Sequence, residues 1–206
     1  MEAITPTLSD HSDSAQPYWQ QHAVSLASGL MQIPQDRNLV FVAHSGSGPL
    51  LPAIREMLTQ SIVAYVFVDA GIPRDNASRL DLMRFQDNQW AEQFHQTLLH
   101  GGQFPDWRAE DLREVIPNEA LRRKMVTEIN PRTIAFFTES IPVFAGWPDA
   151  PCAYIKFSAS YNWDLEQARQ ANWAVREMNA GHFHMLVDPT AVTYMIIETV
   201  QELMKP

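Results

Sequence analysis

The run LVFVAHSGSGPLLPAI, from Leu39 to Ile54, decides how the chain reads. Leu39 to Val42 are four consecutive apolar residues, the signal of a buried strand. Ala43, His44, Ser45, Gly46, Ser47 and Gly48 follow, and Pro49 to Ile54 opens a helix. A strand that turns sharply into a helix, with a serine at the apex among small residues, has the form of a nucleophile elbow. The turn strains the backbone at the apex, so the positions two before and two after must be small. Ala43 and Ser47 meet that condition. The geometry lifts the Ser45 oxygen off the sheet and sets it at a helix N-terminus, where the backbone N–H of Gly46 faces a developing oxyanion. Ser47 is the rival apex, but it sits too far into the helix. A phosphate-binding turn is the plain alternative, and no lysine follows at the spacing G-x-x-x-x-G-K-[ST].

The chain has 206 residues, a length that suggests one domain. Its apolar share of 46% suits a globular protein with a real core. With 15 basic and 24 acidic residues the formal charge is −9, which leaves no basic stripe for nucleic acid. The single cysteine, Cys152, excludes an intrachain disulfide and fits a reducing compartment. It lies in the strand-like run CAYIKF and reads as a buried, inert thiol. MEAITPTLSD has neither a basic region nor an apolar run, so no signal peptide is read there. No stretch approaches a membrane span. The expectation is a soluble, cytoplasmic protein with no membrane partner.

Strand and helix signals alternate, as in a parallel sheet covered by helices. Ala3 to Thr5 reads as a short first strand, Pro17 to Leu30 as a helix, and Pro49 to Leu58 as the elbow helix. IVAYVFV, Ile62 to Val68, is β-branched and aromatic enough for a central strand, and Asp69 follows it directly. Residues 73–148 carry helix-period patterns and form a long insertion. Ala153 to Phe157 is the next strand, Leu165 to Asn172 a helix, and Ala174 to Met178 a last strand. The loop Asn179 to His184 leads to a closing helix, Pro189 to Met204.

The elbow and this order of elements resemble the alpha/beta-hydrolase superfamily, whose usual elbow is G-x-S-x-G; here Ala43 and Ser47 replace the outer glycines. The resemblance runs from about Pro17 to the C-terminus. It implies a single truncated α/β domain, 1–206, with a mostly parallel sheet flanked by helices and a helical cap at about 73–148. It also implies a serine, an acid and a histidine in that chain order. Gly181-His182 precedes the final helix, where the superfamily puts its catalytic histidine, and His184 is the alternative. Asp69 sits at the strand end where thioesterase-like members carry their acid. Most other members carry it one strand later, and Asp164 in SASYNWD is the only carboxylate there. Asp69 could instead cap the turn AGIP, and Asp164 could be the N-cap of the helix LEQARQ.

No histidine pair has the spacing of a metal site, and no G-x-G-x-x-G follows a strand, so neither a metal nor a cofactor is expected. Asp149 and Asp188 read as turn residues. Met83, Phe85, Trp90, Phe94, Phe104 and Trp107 read first as a helix core, although a cap over such a site needs some of them on an apolar underside.

The resemblance departs in front. Only 38 residues precede Leu39, room for one strand and one helix. Gly46 supplies one oxyanion donor, and the second is expected from ITPTLSD, with the backbone around Thr7 or Leu8 beside the elbow. A short sheet also leaves an edge that a homodimer would cover. The leading expectation is a serine hydrolase acting on a small-molecule or carrier-bound ester or thioester with an apolar acyl part. The alternatives are an acyltransferase or cyclase using the same triad, and a non-catalytic ligand- or partner-binding relative.

Overall fold

The computed structural model describes residues 2–205. Four strands form one parallel sheet in the order β1-β2-β3-β4: Leu39–Ser45 (β1), Ile62–Ala70 (β2), Cys152–Lys156 (β3) and Ala174–Glu177 (β4). The two central strands, β2 and β3, read as nearly unbroken apolar runs because helices cover both faces. On one face Tyr65, Phe67 and Tyr154 pack with Leu51, Leu165 and Ala168. On the other, Val66, Val68, Ile155 and Phe157 meet Val192 and Val200 of the closing helix, Pro189–Leu203. Asp188 caps that helix by accepting from the Ala191 N–H at 2.9 Å.

The expected strand at Ala3 to Thr5 does not form; those residues pair with no strand. Their neighbours take side-chain partners from the first helix, Tyr18–Leu30 (α1). The Thr7 carbonyl accepts from Ser25 Oγ at 3.0 Å, and the Ser9 N–H donates to the same oxygen at 3.1 Å. Asp10 accepts from Arg132 at 2.7 and 2.6 Å and lies 2.6 Å from His22 Nε2. The N-terminal segment is thus tied to α1 and to the long insertion. β1 is left as an edge strand, with Val42 47% exposed.

The elbow helix begins as a 3-10 turn at Gly48–Leu50 and continues as α2, Leu51–Glu56. Between β2 and β3 run α3 (Arg79–Gln86), α4 (Asn88–Leu99), α5 (Glu119–Glu128) and α6 (Ile134–Thr138). The first two are well capped: Ser78 and Asp81 form a capping box, and Asp87 accepts from the Trp90 N–H. Four of the insertion's aromatics are spent on its own core. Leu80, Ala91, Phe94, Leu98 and Phe137 are buried together, with Phe104 and Phe136 against them. After β3 come a 3-10 turn at Ala159–Tyr161 and α7, Asn162–Gln170; α8, His184–Val187, and α9, Pro189–Leu203, close the chain.

β1 and β2 pair with one slip at each end: Leu39 pairs with Ile62 and Val40 with Ala64, and the register then holds from Val40 to His44. His44 pairs with Val68, but Ser45 pairs with Ala70. Asp69 is therefore the extra residue of a bulge. Ser45 and Asp69 both adopt positive φ, 58° and 40°, a region that non-glycine residues seldom occupy. The sheet's irregular corner thus carries two of the residues singled out from the sequence.

Candidate active site

Ser45, Asp69 and His182 come from the ends of β1 and β2 and from the loop after β4, and they meet in one hydrogen-bonded chain. His182 Nε2 lies 3.0 Å from Ser45 Oγ, and His182 Nδ1 lies 3.1 Å from Asp69 Oδ2. An Nδ1–H given to the carboxylate leaves the Nε2 lone pair free to accept the serine proton, the tautomer a general base needs. Asp69 is fully buried and also accepts from the Phe157 N–H at 2.6 Å and the Ser158 hydroxyl at 2.7 Å. The positive φ at Ser45 is the strained apex that the elbow reading requires.

The alternatives fall elsewhere. Ser47 turns its hydroxyl back on His44, donating to the carbonyl at 2.7 Å and accepting from the N–H at 3.0 Å. His184 starts α8 with its ring against Phe157. Asp164 lies inside the first turn of α7, so it is not that helix's N-cap. It accepts from the Ile72 N–H at 3.0 Å and from Gln86 at 2.7 Å, and so holds the turn AGIP, the structural task that the sequence offered to Asp69. Burial pushes the Asp164 carboxyl up to about 7, against those two hydrogen bonds. Burial likewise pushes the Cys152 thiol up to about 12, which makes it a poor nucleophile.

Two residues near Ser45 had no sequence signal. The Tyr161 hydroxyl lies 3.2 Å from Ser45 Oγ, and its ring stacks on His182 with centroids 5.2 Å apart. His44 packs against His182 at 4.4 Å and reaches the His182 carbonyl through Nε2 at 3.0 Å. Burial and the neighbouring His182 lower His44 to about 4, so it stays neutral. Phe183 lies against both His44 and His182, and Trp107 of the insertion lies against Phe183 at 5.4 Å. Trp107 is thus the insertion aromatic that reaches the histidine loop.

The tight glycine of the elbow is Gly48. A Cβ there would stand 2.2 Å from the Gly71 carbonyl oxygen, whereas a Cβ on Gly46 meets nothing within 4 Å. The Gly46 N–H sits directly after Ser45, where the expected oxyanion would form. The N-terminal segment does pack near the elbow helix, with Leu8 against the cluster of Ala23, Leu50, Ala53, Ile54 and Ile141. Among the described residues no group of three or more His, Cys, Asp or Glu side chains is placed to hold a metal ion. No described helix is long and apolar enough to cross a membrane.

Residues 2–193 match the family model described as "Alpha/beta hydrolase family", and the chain belongs to that family. An extracellular alpha/beta-hydrolase from a Paenibacillus species, described as sharing structural and functional homology with tobacco salicylic acid binding protein 2, is similar in structure. The TM-score is 0.69 at 14% identity, over 88% of this chain and 79% of that one. Polyneuridine aldehyde esterase gives 0.63 at 16% identity, over 87% and 78%. Tomato methylketone synthase I, complexed with 2-tridecanone, gives 0.66 at 11% identity, over 90% and 79%. No curated protein sequence matches. At such identities the likeness speaks for the fold alone.

Proposed function

We propose that the protein is a serine hydrolase that cleaves an ester or thioester with an apolar acyl part. The observation that carries this is the continuous chain Asp69–His182–Ser45, with both links between 3.0 and 3.1 Å. Ser45 Oγ attacks the carbonyl carbon while its proton passes to His182 Nε2. The carbonyl π pair moves to oxygen, toward the Gly46 N–H. His182 then protonates the leaving group, and an acyl-enzyme remains. Water, deprotonated by His182, releases the acid and frees Ser45. Asp69 orients the imidazole throughout and stabilises its charged form.

The apolar preference rests on the ring surfaces beside the nucleophile: Tyr161, Phe183 and, behind it, Trp107. Such walls exclude water and favour acyl or aromatic groups over sugars or charged groups. Membership of the family supports the hydrolase part of this reading.

The test is covalent labelling. A fluorophosphonate should modify Ser45, and intact mass should detect an acyl-enzyme with p-nitrophenyl esters or acyl thioesters. A wild-type protein that takes up no label and hydrolyses no member of such a panel would be a non-catalytic relative.

A further inference from the structure

Tyr161 stands at an atom where a hydrolase gains nothing from a spectator. Ser45 Oγ has two neighbours, His182 Nε2 at 3.0 Å and Tyr161 Oη at 3.2 Å. The serine hydroxyl has one proton. If His182 gives its Nδ1–H to Asp69, Nε2 is an acceptor and takes that proton. The bond between Ser45 and Tyr161 then has only one available donor, the tyrosine O–H. Burial pushes the Tyr161 phenol up to about 12, so it keeps its proton at neutral pH.

A donor aimed at the nucleophile's lone pair weakens the nucleophile in the resting enzyme. Such a contact helps only if it strengthens in the transition state. As Oγ adds to the carbonyl carbon, one of its lone pairs becomes the new bond and Oγ turns into an ether-like oxygen, a poorer acceptor for Tyr161. The carbonyl-derived oxygen gains charge on the neighbouring position of the same tetrahedral carbon. A phenol 3.2 Å from Oγ is close to the carbon that would carry that oxygen. In the N-terminal segment the Ser9 N–H is already given to Ser25 Oγ.

We propose that Tyr161 is a catalytic residue, the second donor to the oxyanion beside the Gly46 N–H, parked on Ser45 Oγ until substrate arrives. Tyr161 keeps its own proton throughout; only its hydrogen bond moves from Oγ to the carbonyl-derived oxygen. This rests on the serine-nucleophile reading.

Tyr161→Phe separates the roles, because it keeps the ring against His182 and removes only the hydroxyl. With p-nitrophenyl butyrate, kcat should fall by about 100-fold, the scale of losing one oxyanion donor, while KM barely moves. A trifluoromethyl ketone, which forms a tetrahedral adduct with Ser45, should lose affinity in step with kcat/KM. The affinity for butyrate, the product acid, should not change. If Ser45 is labelled and Tyr161→Phe turns over at the wild-type rate or faster, the donor role is wrong and the serine reading survives. If the ketone and the product lose affinity equally, Tyr161 merely shapes the pocket. If wild-type Ser45 takes no label, both ideas fall.

Discussion

Ser158 gives both its backbone N–H and its hydroxyl to the carboxylate of Asp69, the N–H at 3.0 Å and the hydroxyl at 2.7 Å, both to Oδ2. Ser158 stands just past β3, close to where most alpha/beta-hydrolases carry their acid. Here that strand end supplies the donors, and the acceptor comes from the strand before it. The two strand ends exchange tasks across one hydrogen-bonded contact.

That contact predicts which carboxylate matters for turnover. Asp69→Asn keeps the shape, but its amide favours the wrong His182 tautomer. A loss of about 10⁴ in kcat is known for the equivalent change in another serine enzyme, and a loss on that scale is expected here. Asp164→Asn should keep most activity, since Asp164 bonds Ile72 and Gln86 rather than the histidine. The reverse ranking in kcat would remove Asp69 from the site.

Ser45→Ala should abolish turnover and fluorophosphonate labelling with little change in Tm. Ser47→Ala should keep Ser45 reactive. It loses the double tie to His44, so a Tm drop worth about 1 kcal/mol is expected. A dead Ser47→Ala with a labelled, active Ser45→Ala would move the nucleophile.

His182→Ala should lose kcat/KM by orders of magnitude, while His184→Ala stays within a few-fold of wild type. The difference lies in position: His182 bridges Ser45 and Asp69, and His184 packs on Phe157. Comparable losses in the two variants would dissolve the distinction.

Asp164 gives a pH signature of stability. Its folded value of about 7 stands above the ordinary 3.8, so between them the folded state holds a proton that the unfolded chain has released. Stability from this group therefore falls as pH rises through that window, and the loss is complete above it. Asp164→Asn has no such ionisation. The variant's Tm minus the wild-type Tm should be smallest near pH 4 and climb to a plateau above pH 7. Melts from pH 4 to 8 that show a flat or falling difference would contradict it.

Gly48→Ala should destabilise by about 1–3 kcal/mol or more, because its Cβ meets a backbone oxygen that cannot swing aside. Gly46→Ala should be close to neutral in Tm. Equal melting temperatures for the two variants would mean that the loop after β2 yields.

The elbow was legible because its information is contiguous: an apolar run, an apex and a helix start within Leu39 to Ile54. That Asp69 and His182 would converge on Ser45 was legible through strand ends and chain order. The rest depended on distance in space. Tyr161 sits in a 3-10 turn with no motif, and only the folded chain sets it against Ser45. Asp10 and Arg132 pair across 122 positions, so nothing local announced that the N-terminus would bind the insertion instead of forming a strand. The role of Asp164 was misread for the same reason: its partners lie in the turn after β2 and in α3, not in its own helix.

The slipped pairing of Ser45 with Ala70 has a consequence for anyone transplanting this chemistry. Over the same climb β2 uses nine residues to the seven of β1, with one surplus at each end, and the surplus residue at the end that carries Ser45 is Asp69. Deleting the residue between Val68 and Ala70 would leave the strand equally apolar and equally well paired there, yet would erase the carboxylate that meets His182. Copying a serine, a histidine and an aspartate onto another pair of parallel strands would fail unless that miscount were copied too. The portable unit is an arithmetic mismatch between two neighbours, with the side chains as its payload.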